Sequence, residues 1–204
     1  MRTLTILLGG CLLLAIAPRG FAHFRLLDPA SWLQESEELG DPQWSAPCGG
    51  TLKDPGKPTG AITKIQGGDK LHIRIREMAF HPGFYRVALA VNSRTELPPD
   101  PEAISEPGAN GRPRSVSGAI HYPPSPPVLA DGLFMHVAPF DKEQETDVEI
   151  PNINCEKCTL QVIEFMGAHG FNKDGGYTYH HCADLQIRAE GNRGQDQRCG
   201  STIA

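Results

Sequence analysis

The stretch Thr159-Leu-Gln-Val-Ile-Glu-Phe165 decides the fold class. It is short, carries β-branched and aromatic residues, and follows a Cys-x-x-Cys segment that reads as a turn. Leu71-His-Ile73-Arg-Ile75-Arg76 alternates apolar and polar residues with period two, the pattern of a half-buried strand. Thr146-Asp-Val148-Glu-Ile150 and Ala183-Asp-Leu185-Gln-Ile187-Arg188 alternate likewise. Phe84-Tyr-Arg-Val-Ala-Leu-Ala-Val91 is a longer apolar, β-prone run. Gly, Pro and Asn clusters separate these runs, and helical periodicity is hard to find. Short strands between turn signals predict an all-β sandwich with long loops over residues 23–190. Within it, residues 95–130 are Pro-rich and read as a long surface insertion. Residues 191–204 read as a frayed polar tail.

The 204 residues leave room for one domain or two very small ones. Hydrophobic residues at 39% and charged residues at 21% suffice for a real core. Gly and Pro together make about a fifth of the chain, loop-rich but below the range of a disordered one. The net charge is -5 and no basic block exists. Phosphate binding needs clustered Lys and Arg, so no nucleic-acid partner is expected.

Residues 1–22 read as a secretory signal peptide. Arg2 supplies the positive end, and Leu4 to Ala17 is apolar but short for a bilayer span. Pro18 breaks that run, and Gly20-Phe21-Ala22 puts small residues at -3 and -1 of a cleavage site. The alternatives are an uncleaved anchor and, from Leu8-Gly9-Gly10-Cys11, a lipid anchor. Cleavage after Ala22 predicts a secreted or periplasmic protein with no transmembrane segment and His23 as its first residue.

Export puts the cysteines in an oxidising compartment. The mature chain keeps Cys48, Cys155, Cys158, Cys182 and Cys199, an odd number, so a thiol is left over or pairs with another molecule. Cys155-Glu-Lys-Cys158 has no second Cys-x-x-Cys to complete a zinc site and no βαβ pattern around it, which favours a local structural disulfide at a turn.

A terminal histidine offers two nitrogens, the α-amino group and Nδ1, and the amine releases its proton near neutral pH at little cost. One more imidazole completes a three-nitrogen set that suits Cu(II). Taken alone, His23 would be an accident of cleavage. His81, however, opens His81-Pro-Gly-Phe-Tyr-Arg-Val87, a loop running into a strong strand, where a ligand is held rigidly yet reaches the surface. His72 lies on the Arg74/Arg76 face of its strand and reads as solvated. His121 and His136 lie in or beside the Pro-rich segment and receive no role. His180 and His181 are adjacent, so at most one of them faces a given site.

The ordered set His23-Phe-Arg-Leu26, Pro47-Cys-Gly49, His81-Pro-Gly-Phe-Tyr-Arg-Val87 and Tyr179-His-His-Cys-Ala-Asp184 resembles the lytic polysaccharide monooxygenases. It is most similar to a bacterial secreted family described as polysaccharide-monooxygenase-like. The resemblance spans nearly the whole mature chain. It implies an immunoglobulin- or fibronectin-III-like sandwich holding one copper ion in a histidine brace. His23 would give its amino nitrogen and Nδ1, and His81 its Nε2. Tyr179, three residues before a disulfide cysteine, would be the axial group, with His181 as a rival metal ligand on the same strand face. His169 would be the outer histidine that hydrogen-bonds bound oxygen species. The resemblance further implies that Cys182 is disulfide-bonded, and the pairing with Cys48 leaves Cys199 as the odd thiol. Tyr177 stands where fungal members carry Gln, a departure that touches oxygen activation.

The activity so implied is oxidative cleavage of a polysaccharide by a monomer, using O₂ or hydrogen peroxide, an external electron donor and a flat substrate face. Trp32 and Trp44 would lie near the copper. The second class is a non-catalytic copper protein for export, storage or delivery, which an extra strong ligand such as His181 or an aspartate would favour. The third is a structural β-domain with incidental histidines.

Overall fold

A computed structural model describes residues 23–41, 43–192 and 194. The expected signal peptide, Cys199 and most of the expected tail lie outside the described residues. The strands in chain order are β1 (His23–Asp28), β2 (Ile62–Gln66), β3 (Lys70–Ala79), β4 (Gly83–Ala90), β5 (Ala103–Pro107), β6 (Pro113–Gly118), β7 (Val128–His136), β8 (Gln144–Glu149), β9 (Cys155–Met166) and β10 (Thr178–Arg188). Each of the five runs read from the sequence falls on a strand: β3, β4, β8, β9 and β10. Among the described residues, the helical segments are two single 3₁₀ turns, Arg94–Glu96 and Ala109–Gly111. No described helix is long and apolar enough to cross a membrane.

One sheet has the order β1-β3-β8 and the other β2-β10-β9-β4-β7, with β2 parallel to β10 and the remaining pairs antiparallel. The two sheets close on a single core. Phe24, Leu26, Leu71, Ile73, Ile75 and Val148 face Tyr85, Val87, Leu89, Leu160, Val162, Leu185 and Ile187 across it. Each such aliphatic or aromatic side chain contributes about 1.5–3 kcal/mol through burial. This is the all-β sandwich that period-two alternation predicts.

β4 does not alternate because both its faces are covered. Tyr85, Val87 and Leu89 point into the core. Phe84 stacks on Phe165, and Ala88 and Ala90 pack with Leu97 under the Pro-rich segment. Arg86 lies in the same outer layer, 1% exposed, and its Nε pairs with Asp131 Oδ2 at 2.9 Å. Its guanidinium also donates to the carbonyls of Pro99 and Ala119. The expected insertion is therefore ordered against the sandwich, contains the β5–β6 hairpin, and ends where β7 begins at Val128.

Among the described residues, two disulfides are formed. Cys48–Cys182 joins residues 134 apart in sequence and ties the segment after β1 to β10. Cys155–Cys158 bonds within β9 rather than at a turn. Opposite it, Cys155 pairs with Ile187 and Cys158 with Leu185, so three steps on β9 face two on β10. The disulfide spans that bulge.

Candidate metal centre

His23 is the first residue of β1 and lies opposite Ala79, with a register shift between His23 and Phe24. Phe24 enters the core, while His23 sits at the end of the sandwich, 1% exposed. Residues 39–41 and Gln43 are clamped over it. Gln43 donates to the Leu39 carbonyl and accepts from the Phe24 N–H. Gly40 has φ of +78°, and a Cβ there would stand 2.3 Å from the Phe24 carbonyl oxygen, so only glycine lets the segment approach. Asp41 is thereby held with Oδ1 3.6 Å from His23 Nδ1, and it accepts from Trp44 Nε1 at 3.2 Å. Burial, with His181 and His169 nearby, outweighs Asp41 and lowers the His23 pKa to about 4. The imidazole is neutral at pH 7, the form that binds metals.

His81 sits between β3 and β4. A Cβ on Gly83 would stand 2.0 Å from the Phe165 carbonyl oxygen, so His-Pro-Gly lets β4 start hard against β9. The ring of His81 meets that of His169 edge to face, 4.7 Å between centroids. His169 occupies the turn after β9, pinned by Ser115 of β6. Ser115 Oγ accepts from the His169 N–H, and the Ser115 N–H donates to the His169 carbonyl. Burial lowers the pKa of His169 as well.

Tyr179, near the start of β10, completes the group. Its ring lies 5.0 Å from His23 and 6.5 Å from His169, centroid to centroid. Burial, then the carboxylates of Glu164 and Asp41, push its hydroxyl pKa upward, so the phenol stays protonated. A cavity of about 570 Å³ opens here, lined by Trp44, His81, Arg112, His169, Lys173 and Tyr179 among others.

The structure thus gathers His23, His81, His169 and Tyr179, and brings Trp44 to the same place. Trp32 is held elsewhere, and His181, though close to His23, is engaged by other partners. His181 shares the core face with Tyr179, as strand geometry requires, but both of its nitrogens are engaged. Nδ1 pairs with Glu35 Oε1 at 2.7 Å, and Nε2 lies 3.0 Å from the Phe24 carbonyl and 2.9 Å from Gln43 Oε1. His180 points the other way, to Asp100 and the Trp44 carbonyl. Trp32 lies under the Arg94 guanidinium at 3.7 Å and donates to the Cys48 carbonyl. Tyr177 rests on Phe171.

Sequence reasoning missed Asp41, which lies in a polar loop without periodicity. It also missed a second group. One ligand atom each of Glu77, His136 and Glu164 lie within 4.8 Å of one another. The signal was present for two of them. The inward phase of β3 (Leu71, Ile73, Ile75) continues to Glu77, and that of β9 (Leu160, Val162) continues to Glu164.

Comparison with protein-family models and with curated proteins gives no match.

Proposed function

We propose that this chain is an exported mononuclear copper protein, similar to lytic polysaccharide monooxygenases, that cleaves a polysaccharide oxidatively. The supporting observation is the convergence of His23, His81, His169 and Tyr179 beside one cavity, from three separate stretches of the sequence. The donor set fits copper, because two imidazoles and a terminal amine make a nitrogen-rich tetragonal set. That amine exists only after cleavage before His23. When bound, copper supplies one-electron chemistry with O₂ or hydrogen peroxide, fed by an external electron donor.

The chain's own residues set the conditions. His23 is kept neutral by burial and presents Nδ1 without competition from a proton. Tyr179 keeps its proton, so it approaches as a weak neutral phenol rather than a phenolate. His169, also favoured as a neutral ring, can give or take one hydrogen bond at the cavity. Trp44 offers an apolar face to a sugar ring, and Arg112 and Lys173 offer donors to its hydroxyls. The engagement of His181 with Glu35, Phe24 and Gln43 favours a structural role for it.

Asp41 supports a second reading, copper carriage without catalysis. Its Oδ1 is 3.6 Å from His23 Nδ1, so a small torsion would bring a carboxylate to the metal and fill the open position. The test is the mature protein loaded with Cu(II), examined by EPR, then reduced and incubated with cellulose, chitin and starch. Oxidised oligosaccharides support the enzyme. Consumption of neither O₂ nor peroxide, with no oxidised sugar, leaves copper carriage.

A further inference from the structure

The inward residues of β9 run Leu160, Val162, Glu164, Met166, and Glu164 has 0% exposure. A carboxylate stands where the core expects a hydrocarbon. Among the described residues, neither of its oxygens makes a hydrogen bond of normal geometry. The phenol of Tyr85 on β4 lies beside it. Glu77 of β3 and His136 of β7 approach the same point, and their side chains are each 5% exposed. β3 belongs to one sheet, and β7 and β9 to the other, so the three side chains meet across the sandwich.

The surroundings of His136 and Glu77 are those of metal ligands. His136 Nδ1 lies 2.9 Å from the Phe134 carbonyl, which only accepts, so that nitrogen carries a proton. Phe134 has φ of 48°, a left-handed backbone rare for a bulky residue, immediately before the residue that precedes His136. His136 Nε2 is 2.9 Å from Glu77 Oε1. Glu77 Oε2 accepts from the Phe140 N–H at 3.0 Å. Hydrogen bonds from the far side of an imidazole and a carboxylate are what orient them towards a metal. Ligand atoms around tetrahedral zinc stand about 3.3 Å apart. Nε2 and Oε1 are already near that spacing, and Glu164 has only a short distance to close.

We propose that the carboxylates of Glu77 and Glu164 and the Nε2 of His136 bind one zinc ion inside the sandwich, separate from the site at His23. Two carboxylates and a neutral imidazole balance a divalent cation, which removes the penalty of burying the acids unpaired. One nitrogen and carboxylate oxygens around a tetrahedral position suit zinc, which imposes no geometry of its own. The ion clamps the two sheets at a useful place. Glu77 pairs with Phe24, next to His23, and Glu164 pairs with Tyr179. The zinc therefore fixes the two strands that carry those residues.

The test uses the mature chain carrying His81→Ala, which removes the brace, produced with zinc in the medium and washed with EDTA. Metal analysis is expected to find one zinc per chain. Glu164→Gln, which keeps shape without a ligating charge, is expected to lower that content at least tenfold while the β-sheet circular dichroism persists. Tyr85→Phe, which leaves all three ligands, is expected to keep the zinc. Anomalous scattering at the zinc edge from crystals of the mature chain reads the site without any variant, with a peak expected between the three side chains. No retained zinc, zinc stripped by the EDTA wash, equal zinc in Glu164→Gln, or no anomalous peak there would each overturn the proposal. In those cases a proton, rather than a metal, neutralises the carboxyl of Glu164.

Discussion

The ring of His23 meets the ring of Tyr179 edge to face, 5.0 Å between centroids. His23 begins the first strand of one sheet, and Tyr179 stands near the start of the last strand of the other. Their contact exists only because the sandwich closes at this end. The cavity beside them takes its remaining walls from the loop before β4, the turn after β9 and the Pro-rich insertion.

Adding one alanine before His23 in the mature protein converts the proposed amine ligand into an amide. Cu(II) affinity measured by calorimetry should fall by orders of magnitude, with the melting curve of the apo protein nearly unchanged. An unaltered affinity would remove the brace from consideration.

Three substitutions separate ligand from scaffold. His81→Ala should lose most copper binding and any oxidase activity. Tyr179→Phe should keep copper, because a protonated phenol binds weakly. His181→Ala should act on the fold instead, destabilising it by removing one of the two basic partners of buried Glu35, the other being Arg25 Nε at 3.7 Å. The Cu(II) EPR spectrum of the folded His181→Ala protein should shift only slightly. A large change would make His181 a ligand and strengthen the carrier reading.

Acid should destabilise the copper-free mature protein. The unfolded His23 ring takes up a proton near pH 6.5, but the folded ring only near pH 4. Between those values the unfolded state binds more protons, so stability falls as pH drops through that window. Burial lowers the pKa of His169, which contributes with the same sign. His72 and Glu164 have the opposite sign, because a hydrogen bond to Asp147 raises the His72 pKa and burial raises that of the Glu164 carboxyl. Denaturant midpoints at pH 7.5 and 5 measure the balance, and the loss should shrink in His23→Gln. Equal midpoints for wild type at the two pH values would contradict this account.

Asp131→Ala should cost about 3–5 kcal/mol, because it leaves Arg86 charged and buried under the insertion. Replacing both residues, Arg86→Met with Asp131→Leu, should recover much of that loss in the same denaturant titration. A cost below 1 kcal/mol for the single variant would mean that the insertion opens to water.

Reducing Cys48–Cys182 should cost about 4–5 kcal/mol on the chain-entropy estimate for a loop of that size. The loss should appear in thermal melts of a Cys48→Ala, Cys182→Ala double variant. Copper affinity should weaken too, since β10 carries Tyr179 only three residues before Cys182.

The five strands read from the sequence are those that alternate against the core, β3, β8 and β10, and those that are apolar and β-prone because both faces are covered, β4 and β9. β3, β8 and β10 alternate for much of their length because one face meets the core and the other meets water or lighter cover. β1, β2, β5, β6 and β7 carried no such signal. β5 and β6 pair chiefly with each other at the surface, and β7 mixes partly buried residues on both faces. The candidate site divides in the same way. His23 and His81 were legible as residue types at telling positions, whereas Tyr179, His169 and the cysteine pairing were expected only through the family resemblance. Asp41 was not, because a loop residue has no period that reveals where it will fold back.

By itself the sequence determined the strand-forming runs and the histidines worth following. These depend on side-chain chemistry and local alternation, which are properties of the chain. Tertiary structure alone decided that His181 is engaged by Glu35 while His81 reaches His169, since two histidines of identical chemistry differ only in what packs around them. It also decided that Glu77, His136 and Glu164 meet. Their encounter depends on strand register and sheet stacking across the core, relations between distant segments that no local pattern encodes.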